Sequence, residues 1–100
     1  MEPRDFEVAS QDVAELLIYP NPTNGDQLRI DLRGADPELT TATLDLTDLF
    51  GKRVMTATLP LQDGELNTVL SLGSDLSAGM YLVTVTAGEQ VFNERLVIAR

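Results

Sequence analysis

The segment Gln27-Leu28-Arg29-Ile30-Asp31-Leu32-Arg33 alternates apolar and polar side chains without a break. A period of two places Leu28, Ile30 and Leu32 on one face of an extended strand and Arg29, Asp31 and Arg33 on the other. The same period returns where Ala42, Leu44 and Leu46 alternate with Thr43, Asp45 and Thr47, and where Leu66, Thr68, Leu70 and Leu72 alternate with Asn67, Val69 and Ser71. No stretch keeps a helical period over three turns. A chain patterned in this way has to bury its apolar faces by packing sheet on sheet.

The remaining segments fit that frame. Leu16-Leu17-Ile18-Tyr19 is a short apolar run without alternation, which predicts a strand covered on both sides. It ends at Pro20-Asn21-Pro22-Thr23-Asn24-Gly25, where two prolines fix φ and withhold donors, predicting a rigid turn. Gly34–Thr41 is a polar loop. Asp48-Leu49-Phe50-Gly51-Lys52 reads as a hairpin turn with Gly51 left-handed. Arg53–Leu59 returns from it with an ambiguous face, Val54 competing with Met55, Ala57 and Leu59. Pro60–Glu65 makes the next turn, signalled by Asp63-Gly64, and Ala87-Gly88-Glu89 links the last two strands, Met80–Thr86 and Gln90–Ala99. Leu96-Val97-Ile98 is apolar on both faces, which predicts a strand held inside a sheet. About seven strands with regularly spaced turns predict an all-β fold, an immunoglobulin-like antiparallel β-sandwich.

One stretch sharpens that expectation. In Asp75–Val85, Gly79 stands where the backbone requires a conformation unfavourable to a Cβ. Tyr81, Val83 and Val85 then share one face and Leu82 takes the other. A Tyr opening a strand after a tight corner resembles the tyrosine corner of immunoglobulin-like sandwiches, whose hydroxyl bonds to backbone a few residues upstream. The expected core is Leu28, Ile30, Leu44, Leu46, Leu70, Tyr81, Val83, Val85 and Leu96.

One hundred residues suffice for one domain with a thin core. Residues 1–15 are acidic and weakly patterned and read as a linker ahead of a domain spanning 16–100. Phe6 and Val8 offer a short edge strand there, and a helix over Gln11–Leu16 is the rival. The net charge of −9 falls almost wholly on the first half: residues 1–50 hold 11 acids and 3 bases, residues 51–100 hold 5 and 4. Such a surface repels phosphate backbones, so no nucleic-acid partner is expected. No apolar run is long enough to span a membrane. Met1-Glu2-Pro3-Arg4-Asp5 has none of the features of an export signal, so an exported form is expected to be part of a longer precursor.

With neither His nor Cys in the chain, imidazole and thiolate chemistry are excluded. A nucleophilic Ser would need a base, but the single Lys52 lies in a predicted turn, and Ser71, Ser74 and Ser77 read as turn and strand-surface residues. The acids fall on water-facing strand positions and in loops. The Asn21–Asp26 turn offers oxygen ligands and a Gly, but it has neither the alternating acids nor the closing Glu of a calcium loop, so it is read as a turn, with weak calcium binding as the open alternative. The expectation is a domain that is not an enzyme and holds no cofactor and no metal.

Three stretches together resemble the type A C-terminal sorting domains of the type IX secretion system of Bacteroidetes. Leu17-Ile18-Tyr19-Pro20-Asn21-Pro22-Thr23-Asn24-Gly25 is similar to the opening YPNP motif, matching at Tyr19, Pro20, Asn21, Pro22 and Gly25. Leu46–Val54 is similar to the central hairpin motif, with Asp48, Gly51, Lys52 and Val54 in the motif positions. Leu76–Val83 resembles the third, through Leu76, Gly79 and Tyr81, although Gly73-Ser74-Asp75 ahead of it departs from the usual pattern. The last strand finishes in Arg100, where the family often has a basic residue. The resemblance implies a sandwich-shaped tag on a secreted precursor that carries an N-terminal cargo domain. The tag is read in the periplasm by the secretion machinery: an outer-membrane shuttle, a translocon and a sortase-like peptidase that removes it. The cargo then reaches the cell surface or the extracellular space. The edge of the last hairpin, with Asn93, Arg95 and Arg100, is the candidate recognition surface, since a sheet edge can accept a partner strand. The alternative is an immunoglobulin- or fibronectin-like binding or spacer module of an extracellular enzyme. A further domain after Arg100 would favour that alternative.

Overall fold

Leu28, Ile30, Leu32, Leu44, Leu46, Val83, Val85 and Leu96 are completely excluded from solvent, and they come from four strands on two facing sheets. The computed structural model describes residues 14–73 and 75–100. The seven strands are β1 (Glu15–Tyr19), β2 (Gln27–Arg33), β3 (Thr41–Thr47), β4 (Arg53–Pro60), β5 (Leu66–Ser71), β6 (Gly79–Ala87) and β7 (Gln90–Ile98). One sheet has the order β1-β2-β5 and the other β4-β3-β6-β7, with every strand pair antiparallel. No helix occurs among the described residues. The fold is an all-β sandwich, with β4 placed beside β3 on the sheet that contains β6 and β7.

The alternating segments form as the period dictates. In β2 and β3 every second side chain is buried; of the intervening positions on the outer face, Asp31, Asp45 and Thr47 are half-buried and the others are exposed. Full burial of one such aliphatic side chain contributes about 1.5–3 kcal/mol, so these few strands supply most of the stability of a small domain. Of the nine expected core residues, eight are buried; Leu70 is only half-buried, because β5 is an edge strand and one flank of the core opens there.

Three other expectations are corrected. β1 is not covered on both sides: Leu16 and Ile18 point inward, but Leu17 and Tyr19 are each 43% exposed on the outer face of the three-stranded sheet. An unbroken apolar run cannot reveal that one face has no layer over it. The end of β7 is likewise not inside a sheet, since β7 is the outer strand next to β6. Pro60 belongs to β4 rather than to the turn, which closes more tightly: Gln62 and Glu65 exchange backbone hydrogen bonds around Asp63-Gly64, both at positive φ.

The ambiguity of β4 has a geometric cause. Leu46 pairs with Met55 but Thr47 pairs with Arg53, so Val54 is an extra residue in a β-bulge. The bulge switches the strand's facing, and Val54 and Met55 are both half-buried as a result. The expected strand at Phe6–Val8 and most of the rival helix Gln11–Leu16 lie outside the described residues; Glu15 and Leu16 are strand.

Candidate recognition site

Two prolines free the turn after β1 from backbone donors it would otherwise have to satisfy. Both of its X–Pro bonds, Tyr19–Pro20 and Asn21–Pro22, are cis. The Asn21 carboxamide projects onto the free edge of β7. Its Nδ2 donates to the Arg95 carbonyl at 2.6 Å, and its Oδ1 accepts from the Val97 N–H at 3.0 Å. One side chain therefore supplies the donor and the acceptor that a neighbouring strand's peptide units would have supplied. Thr23 continues the ladder with its own backbone: its N–H donates to Val97 O at 2.9 Å, and its carbonyl accepts from Ala99 N–H at 2.8 Å. These four bonds close the β7 edge from Arg95 to Ala99 and tie one sheet to the other.

Thr23 is a polar residue with 1% exposure. Its hydroxyl donates to Gln27 O at 3.1 Å and accepts from Gly25 N–H at 3.2 Å, so burial leaves it satisfied. Gly25 follows at φ +97°, and a Cβ there would sit 2.7 Å from Arg100 Cζ. The Arg100 guanidinium lies over this glycine, and its Nη2 donates to Gly73 O at 3.0 Å. Arg100, one of the candidate recognition residues, is thus laid across the β1–β2 turn and the loop after β5 while it stays exposed.

The central hairpin is built by Asp48. Its Oδ1 accepts from the N–H groups of Phe50 and Lys52, each at 2.9 Å, while Gly51, at φ +83°, donates to Asp48 O. This leaves Leu49 72% exposed and Phe50 95% exposed at the tip. The corner also forms: Tyr81 Oη donates to Ser77 O at 2.7 Å with the ring buried. Gly79 has φ +148° and open space where a Cβ would lie, so conformation and not crowding favours glycine there. Leu76 is buried under the corner.

The three motif stretches meet at one end of the sandwich. Thr23 bridges Ile98, Ile98 pairs with Gly79, and Tyr81 pairs with Leu96. Asp48, Phe50 and Val54 of the hairpin share a surface recess with Leu76, Met80 and Tyr81 of the corner. Asn93 and Arg95 are exposed on β7, where Asn93 Oδ1 accepts from the Thr84 hydroxyl at 2.9 Å. Thr23 and the exposed Met80 and Phe50 were not singled out from sequence. Thr23 looks like any turn residue there, and only its place against β7 gives it a role.

A sequence model of the family described as secretion system C-terminal sorting domain matches residues 17–99. The chain belongs to this sorting-domain family. The match runs from Leu17 within β1 to Ala99 just past β7, and takes in all three motif stretches. No curated protein matches the chain. The family makes this a type IX secretion sorting signal, a kind of domain that is not normally catalytic. It implies an interaction with the type IX machinery, a cargo part on the N-terminal side, and a destination at the cell surface or in the extracellular space. Among the described residues no helix is long and apolar enough to cross a membrane, and no group of three acidic residues is placed to hold a metal ion.

Proposed function

We propose that the sorting domain is read as a folded shape at the end where its motifs converge, and that a sortase-like peptidase then removes it. The observation that supports this reading is that the motif residues are mostly spent on building. Asn21 and Thr23 close an edge, Asp48 and Gly51 shape a hairpin, and Leu76 and Tyr81 hold a corner. What they leave exposed at that end is Leu49, Phe50 and Met80, while Arg95 and Asn93 are exposed further along β7, opposite Leu82 and Thr84. An exposed aromatic at a hairpin tip suits insertion into a partner's pocket.

In this account a precursor reaches the periplasm of a Bacteroidetes cell by its own N-terminal signal. An outer-membrane shuttle engages the motif end, a translocon passes the cargo, and the peptidase cuts within residues 1–15. Of those residues, 1–14 then act as the linker between cargo and tag, since Glu15 already opens β1. Strand addition is confined to the stretch of β7 before Arg95, because Asn21 and Thr23 occupy the rest of that edge. The test is a cargo carrying residues 1–100, produced with and without an active peptidase. Mass spectrometry of the exported cargo should place its new C-terminus within residues 1–15 only when the peptidase is active. A cut inside the sandwich, or an uncut tag on exported cargo in both strains, overturns the removal step.

A further inference from the structure

The two flanks of the sandwich differ. On one, β1 and β7 are joined by the Asn21–Thr23 ladder. On the other, β4 and β5 end their sheets, and among the described residues no strand lies outside either. Unpaired edges invite further strands, and proteins blunt them with charge, proline and bulges. β4 has all three: Arg53, the bulge at Val54 and Pro60. β5, with the sequence Leu66-Asn67-Thr68-Val69-Leu70-Ser71, has none of them. Val69 is 45% exposed on its outer face, and Thr68 and Leu70 are only half-buried on its inner face.

We propose that β5 is a self-association edge, and that a second copy of this chain adds to it as an antiparallel β5–β5 pair across a two-fold axis. The result is a continuous six-stranded sheet with the order β1-β2-β5-β5-β2-β1. The strand is self-complementary in this arrangement. With Val69 facing its own counterpart, Asn67 meets Ser71 and Thr68 meets Leu70, polar beside polar on the outer face and partly apolar on the inner. Charge does not oppose pairing at this edge. The chain carries −9, yet β5 contains none of the acids, and the adjoining β1 and β2 balance Glu15 and Asp31 with Arg29 and Arg33. Arg29 also fixes the outer face by donating to Asn67 Oδ1 at 2.9 Å. A neutral strand gives no grip to a charged partner, and an identical strand brings no like charge to the seam.

The proposal is tested on the 100-residue chain by sedimentation over a concentration series reaching the millimolar range. Wild type should approach twice the monomer mass, more readily as salt screens the net charge. Val69→Lys and Val69→Glu should each weaken association by about tenfold, since each sets like charges face to face. Mixed in equal amounts, the two variants should recover the heavier species. Amide exchange on wild type provides a readout free of mutation: protection should rise with concentration at Leu66–Ser71 and not along β4. Wild type that stays monomeric throughout overturns the proposal, as does protection gained elsewhere, or a Val69→Lys variant that associates like wild type.

Discussion

Asn21 and Val97 lie 76 positions apart and are joined by a 3.0 Å hydrogen bond from the Val97 N–H to the Asn21 side-chain oxygen. The partner amide hydrogen of Asn21 reaches Arg95 O. Replacing Asn21 with Ala removes both bonds and should cost about 1–2 kcal/mol in chemical denaturation, the lower end reflecting the site's exposure. Asn21→Asp keeps the acceptor and loses the donor. Amide exchange should therefore remain slow at Val97 in the Asp variant and become fast in the Ala variant. Equal exchange in the two would remove the edge-sealing role.

Tyr81→Phe isolates the corner. The ring stays buried, and only the 2.7 Å bond to Ser77 O is lost. The expected loss is about 1 kcal/mol, with the Ser77 carbonyl left to water at the loop surface. A denaturation midpoint identical to wild type would mean that the hydroxyl contributes nothing to the corner.

Phe50 has almost no contact to lose, being 95% exposed. Phe50→Ser should change stability by no more than about 0.5 kcal/mol, as for most surface substitutions. If the motif end is the surface read by the machinery, the same variant should accumulate in the periplasm. Asn93→Ala and Arg95→Ala test the neighbouring β7 surface in the same assay. Normal export of all three folded variants would place recognition elsewhere.

The strands and most of the core were legible from period alone, since β2, β3 and β6 each bury alternate residues against a facing sheet. What sequence could not reveal was which strands stand at edges. Leu16–Tyr19 and Leu96–Ile98 both look like interior strands because hydropathy records what is apolar and not what covers it; the first has a bare outer face, and the second is covered by a side chain far away in sequence. The bulge at Val54 hid the facing of β4 for a related reason, since one inserted residue breaks the period that the reading depends on. The motif residues were legible through resemblance, but their physical tasks were not. Nothing local shows that Asn21 stands in for a strand, or that Arg100 lies over Gly25.

The central claim is that this folded sandwich is itself the export address. The most direct measurement fuses residues 1–100 to a fluorescent cargo with its own inner-membrane signal, in a bacterium with the type IX system, and compares surface with periplasmic cargo. A parallel fusion carries Leu44→Asp, which buries a charge in the fully enclosed core and unfolds the tag. The account predicts surface cargo for the intact tag, and periplasmic cargo both for the unfolded tag and for the intact tag in a strain without the translocon. Intact tag left in the periplasm, or export that proceeds equally with the Leu44→Asp tag, would contradict it.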